Sequence, residues 1–142
     1  MKIVSWNVNG IRSRIFNDKI SSKLKKNEKI FPTEDSAIQE LLKHHPDIIC
    51  MQETRCSIAK SEMLCIPGYN SFFNESKLDG ARSPDRYSGT CIFYKENIPC
   101  QFSTIIPGYE DLEGRVIIMK FENVTLVTVY APNSGTNYEN KI

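Results

Sequence analysis

No stretch of this 142-residue chain has enough consecutive apolar residues to cross a bilayer as a helix, and its longest apolar runs are strand-sized. A basic excess is missing too. Lys and Arg number 18 against 17 Asp and Glu, a net charge of +1, so any phosphate contacts must be local. The five cysteines (Cys50, Cys56, Cys65, Cys91, Cys100) lack zinc-ligand spacing, and their odd number speaks against a disulfide framework. Reduced thiols in an intracellular protein are expected, with nucleus and cytoplasm not distinguished. The early run Ile3-Val4-Ser5-Trp6 breaks at Asn7, too soon for the core of a secretory signal. The N-x-S/T matches at Asn74 and Asn123 are accordingly read as chance. Histidine is scarce: His44 and His45 stand together before Pro46 and read as surface residues at a helix end. Internal repeats and low-complexity tracts are absent.

What is present suits a globular α/β protein, with 40% hydrophobic and 25% charged residues. Lys2 to Val8 is rich in β-formers and runs into Asn-Gly, predicting a strand and a turn. From about 17 to 32 the chain is polar and Lys-rich, which predicts a solvated, mobile insertion. Thr33-Glu34-Asp35 opens a helix with Ile38, Leu41 and Leu42 on its apolar stripe, stopped by His45-Pro46. Ile48-Ile49-Cys50-Met51 is an unbroken apolar run and predicts a strand covered on both faces. Ser57 to Leu64 reads as helix and Tyr69 to Phe73 as strand. Beyond the loop at 80–84, Gly89 to Lys95, Arg115 to Phe121 and Val124 to Tyr130 read as strands, the last two joined by a turn at Glu122-Asn123. Early helices and a later β-meander predict a layered α/β sandwich, with residues 1–142 forming part of one domain. Three apolar strands close the pattern and only a polar stretch follows, so an exposed sheet face and poor solubility are expected.

Polar residues cluster at the strand ends: Asn7 and Asn9 after the first strand, Glu53 after the second, and Tyr130 and Asn133 after the last. Loops on a rigid scaffold commonly carry function. A lone Glu leaving a buried strand suits a magnesium ligand, since Mg²⁺ takes one or two protein carboxylates and keeps water and phosphate elsewhere; a structural carboxylate held by an Arg fits as well. The Asn amides suit phosphate oxygens, or merely an Asn-Gly turn. The Tyr130 phenol suits developing phosphoryl charge, or core packing.

The segments 2–12 (KIVSWNVNGIR), 46–55 (PDIICMQETR), 87–89 (YSG), 113–117 (EGRVI) and 129–135 (VYAPNSG) occur in order. Together they resemble the exonuclease–endonuclease–phosphatase superfamily, and within it the exonuclease III or abasic-endonuclease branch, over about the first half of that family's length. The resemblance implies a four-layered α/β sandwich, about half of it present. It implies a DNA-repair phosphodiesterase that cleaves at abasic sites and trims 3′ ends of double-stranded DNA with Mg²⁺, Mn²⁺ being the alternative. Glu53 becomes a metal ligand and Asn9 lines the metal site. Asn7, Tyr130 and Asn133 contact the scissile phosphate, while Arg12, Tyr87 and Arg115 grip the DNA backbone without reading its sequence.

Departures from the family pattern are specific. Arg55 stands where Lys is usual, keeping the charge but changing the donor geometry, and Thr136 replaces a residue that wedges into the duplex in some relatives. The family's second half adds a Gly-Asp-x-Asn segment and a terminal Ser-Asp-His, neither of which this sequence contains. The chain is therefore expected to be inactive alone and to need the missing C-terminal half. The alternatives are a retrotransposon-type nicking endonuclease or another phosphoesterase of the superfamily, and, in a different class, a non-catalytic half-domain that binds DNA or a partner.

Overall fold

The structure, a computed structural model, describes residues 1–16 and 28–132. Most of the Lys-rich insertion lies outside these residues, as do Asn133 and Thr136. The insertion's last residues are docked: Ile30 pairs with Leu64, its amide donating to the Met63 carbonyl at 2.7 Å.

The element order is β1 (Ile3–Asn7), α1 (Ile11–Ile15), α2 (Ala37–Leu42), β2 (Ile48–Gln52), α3 (Ile58–Ser61), β3 (Tyr69–Asn74), a 3₁₀ turn at Gly80–Arg82, β4 (Thr90–Lys95), β5 (Gln101–Ser103), β6 (Val116–Phe121) and β7 (Val124–Val129). One sheet runs β1-β2-β4-β3 and the other β5-β6-β7. β1 and β2 are parallel, pairing Ile3 with Ile48 and Asn7 with Gln52, so both strands end on the same rim.

The apolar run predicted for β2 is buried at all five positions. Alternate residues serve two cores. Ile49 and Met51 pack with Ile11, Ile15, Phe16 and Ile38 of the helix layer. Ile48 and Cys50 pack with Ile117, Met119 and Phe121 of the second sheet. Each large side chain hidden here contributes about 1.5–3 kcal/mol. Helix layer, first sheet and second sheet are three layers of the expected sandwich. Among the described residues no helix covers the outer side of the second sheet, and there Val127 and Val129 of β7 are about half exposed.

The two sheets are riveted at the rim where β1 and β2 end. Gln52, 8% exposed, donates through Nε2 to Ser5 Oγ at 3.1 Å and to Thr128 Oγ1 at 3.0 Å. One residue beyond Gln52 is Glu53, and two beyond Thr128 is Tyr130. A satisfied buried amide thus sets the spacing between these two side chains.

Several expectations need correction. The helix read at 57–64 is only Ile58–Ser61, because its ends close in turns. α1 and β5 were not predicted. The reading of the Asn74 N-x-S match as chance stands, because Asn74 is buried and donates to Asp111 and to the Val116 carbonyl. Among the described residues no helix is long and apolar enough to cross a membrane.

Candidate active site

The chain after β1 is laced to the chain after β2. The amides of Val8, Gly10 and Ile11 donate to the carbonyls of Gln52, Glu53 and Thr54 at 3.0, 2.8 and 3.0 Å. Thr54 and Arg55 in turn donate to the carbonyls of Gly89 and Ser88, each at 3.0 Å. Such lacing requires unusual backbone. Of the six non-glycine residues at positive φ among the described residues, four (Asn9, Glu53, Arg55 and Ser88) sit in these loops. Each costs up to about 1–3 kcal/mol, and strain of this kind collects where a site must be held in shape.

Glu53 is the centre. Its Oε1 accepts from Asn7 Nδ2 at 2.9 Å and its Oε2 from an Arg55 guanidinium nitrogen at 2.8 Å. Asn7 is pinned at its other end as well, because Oδ1 accepts the Asn9 amide at 3.2 Å. Burial raises the Glu53 pKa, but the hydrogen bonds of Asn7, Tyr130 and Arg55 and the Arg55 charge more than offset it, leaving the carboxyl below its ordinary value. Tyr130 moves oppositely: burial, then its bond to Glu53 and that residue's charge, push the phenol up and keep it protonated at neutral pH. The rim therefore pairs a carboxylate held ionised with a phenol held neutral.

Arg12, Arg55, Asn9, Gly10, Ser13 and Asp85 line a concavity of about 170 Å³ beside this cluster. Asp85 was not singled out from sequence. It accepts from Lys60 at 2.6 Å and from the Ser57 amide at 3.0 Å, and lies 3.9 Å from Arg12. No local pattern marks it, since its partners come from α1, α3 and the turn before α3. Arg55 entered the sequence reading only as a departure, yet it is the charge partner of Glu53.

The predicted residues are therefore only partly gathered. Asn7, Glu53 and Tyr130 converge, Asn9 contributes its backbone amide to Asn7, and Arg12 borders the neighbouring concavity. Tyr87 and Arg115 sit behind Tyr130 as a stack. The expected backbone grip by Arg115 meets a side chain that is 6% exposed and bonded to Glu113, Tyr87 and the Tyr130 carbonyl. The guanidinium is thus enclosed, with a partner for each of its nitrogens. His44 and His45 lie at the other end of the sheet, before β2 begins.

The chain thus has a layered α/β fold with an Asn–Glu–Tyr cluster on one rim. The model of the Endonuclease/Exonuclease/phosphatase family matches residues 4–141, and the chain belongs to that family. It is 37% identical over 140 residues to the exodeoxyribonuclease of Bacillus subtilis, covering 98% of this chain and 46% of that protein. It is 32% identical to the DNA repair nuclease APEX1 of Danio rerio, covering 95% of this chain and 37% of that one. Among solved structures, an AP endonuclease from Archaeoglobus fulgidus superposes with a TM-score of 0.58 at 26% identity, covering 93% of this chain and 41% of that one. The chain spans less than half the length of each of these relatives.

Proposed function

We propose that this chain forms the N-terminal half of a metal-dependent DNA phosphodiesterase that cleaves at abasic sites and trims 3′ ends. The observation that carries the proposal is the convergence of Asn7, Glu53 and Tyr130 on one rim. The names of the relatives, exodeoxyribonuclease and DNA repair nuclease, point the same way.

The donor set suits a hard divalent cation. Among the described residues no three His, Cys, Asp or Glu side chains converge, which excludes a cage built wholly from such groups there. A single carboxylate fits Mg²⁺, or Mn²⁺, which keep water and substrate oxygens in their other positions. Glu53 would hold it, with Asn9 at the margin. Bound there, it would supply positive charge to the phosphoryl oxygens.

The chain's own residues have separate tasks. Asn7, fixed at both ends of its amide, offers a preset polar group beside the scissile phosphate. Tyr130, neutral because its pKa is raised, would turn its one proton from Glu53 to a phosphoryl oxygen whose charge grows in the transition state. Arg12 takes a neighbouring phosphate and fixes the duplex without reading sequence. An abasic nucleotide is favoured because flipping it costs no unstacking. Activation of water is left to residues of the other half.

The test uses the 142-residue chain, a duplex with one abasic site, an intact duplex, and Mg²⁺ or EDTA. We expect Mg²⁺ to shift the NMR signals around Glu53, Glu53→Gln to abolish that response, and abasic duplex to bind better with the metal than with EDTA. Binding that ignores both the metal and Glu53→Ala would replace this proposal with a non-catalytic DNA-binding half-domain.

A further inference from the structure

Arg115 immediately precedes β6 and Tyr130 follows β7, and these strands pair along their whole length. The two residues clasp each other through the backbone: the Tyr130 amide donates to the Arg115 carbonyl at 2.8 Å. The Arg115 side chain then returns to the same place. One terminal nitrogen donates to the Tyr130 carbonyl at 3.2 Å, and the guanidinium carbon lies 4.8 Å from the Tyr130 ring centroid. The other terminal nitrogen donates to the Tyr87 hydroxyl at 2.9 Å, with that ring centroid 5.6 Å away. Nε donates to Glu113. All three nitrogens have partners, both flanking rings lie within cation–π range, and the residue is 5% exposed.

We propose that Arg115 is a positioning residue that holds the Tyr130 and Tyr87 phenols in place at the rim, and that it makes no contact with DNA. The inference rests on the site reading above for its meaning, but its geometry stands apart from that reading. Only a planar fork with fixed N–H directions serves Glu113, a hydroxyl and a carbonyl at once while lying against two rings; an ammonium on a flexible stem does not. The arrangement explains why a cation is buried at the end of a strand whose other residues are mostly apolar. It also links the loop carrying Tyr87 to the strand end carrying Tyr130, so that neither phenol relies on its own rotamer alone. Glu113 belongs to the clamp, because it accepts from both Arg115 and Arg82 and so anchors the guanidinium from behind.

The chain, labelled with 3-fluorotyrosine, tests this directly by fluorine NMR. The resonances of Tyr87 and Tyr130 are assigned from Tyr87→Phe and Tyr130→Phe. In Arg115→Met we expect both to move towards the position of free tyrosine while the other tyrosines stay in place, and in Arg115→Lys to recover by less than half. Unmoved resonances in Arg115→Met would overturn the proposal. If that variant does not fold, Tyr87→Phe gives the answer: it removes one acceptor of the guanidinium and should shift the Tyr130 resonance, and an unshifted one overturns the proposal equally. A DNA titration at several salt concentrations separates positioning from gripping. Arg115→Met should keep the wild-type salt slope, whereas a slope lower by about 1 marks a lost phosphate contact and also overturns it. Failure of the wild-type chain to bind DNA would remove the proposed function and leave the fluorine result standing.

Discussion

Asn7 ends β1 and Glu53 follows the parallel β2, and the Asn7 side-chain amide donates to Glu53 Oε1 at 2.9 Å across the gap between them. The bond is what the parallel register brings about: Asn7 is paired with Gln52, so the next residue of β2's chain is within its reach. A carboxylate without such donors would sit above its ordinary pKa, since burial is the largest influence on it and acts in that direction.

Asn7→Ala should therefore raise the pKa of Glu53, with Tyr130 and Arg55 left to offset burial. Carbon-13 NMR of the carboxyl group across the acid range checks this. The stability change should be small, about 1 kcal/mol, because Asn7 is exposed and its loss strands no deeply buried partner. A Glu53 titration identical in the variant would mean that the Asn7 bond does not control the carboxylate.

Acid should weaken the fold in a definable window. Among the carboxyls that stand below their ordinary values are Asp47, through bonds from Lys95 and the Lys2 amide, and Glu53 and Asp85, through partners that outweigh burial. A depressed folded pKa contributes stability that is complete above the unfolded value and is lost as pH falls through the folded one. Melting temperature should hold from neutrality to about pH 5 and then decline below the ordinary carboxyl range near 4. The double variant Asp47→Asn, Asp85→Asn should start lower and decline less steeply. An unchanged acid slope in that variant would place the sensitivity elsewhere.

Much of this architecture is legible in the chain because β-rich apolar runs and turn residues announce strands. β2 is the clearest case: its unbroken Ile-Ile-Cys-Met run predicts burial on both faces, and both faces are buried. α1 is illegible for a physical reason. Five residues, Ile-Arg-Ser-Arg-Ile, are too few to display a helical period, and the lacing of Gly10 and Ile11 to the Glu53 and Thr54 carbonyls sets where the helix begins. β5, three residues after Pro99, is too short in the same way. In the site, Asn7, Glu53 and Tyr130 are legible from their strand-end positions. The burial of Arg115 and the bridging by Asp85 are not, since each depends on partners brought in from separate loops.

Gly114 shows how a motif residue can be structural. Its φ is 64°, and a Cβ built there would lie 2.4 Å from the Glu75 carbonyl carbon and 2.6 Å from the Asn74 carbonyl oxygen. Backbone cannot yield as a flexible side-chain tip does. Gly114→Ala combines a left-handed cost of about 1–2 kcal/mol with an overlap costing about 1–3 kcal/mol. Urea unfolding should show a loss of about 3 kcal/mol, and a loss below about 1 kcal/mol would mean that the β6 entrance relaxes away from β3.

The outer side of β7 should govern solubility. Val127 and Val129 are 49% and 54% exposed on a strand whose only ladder partner among the described residues is β6, so within those residues its other edge has backbone groups without a strand partner beside apolar side chains. That combination is a template for pairing with another chain. Charge on such an edge blocks association because pairing would have to desolvate it, while the unpaired monomer leaves it in water. Val127→Lys with Val129→Lys should thus raise the soluble concentration several-fold and shift sedimentation towards monomer. The melting temperature should change little, since neither valine belongs to the two buried cores. Equal association in the variant would move the sticky surface to another part of the chain, with exposed Phe31 and Ile105 next to be replaced.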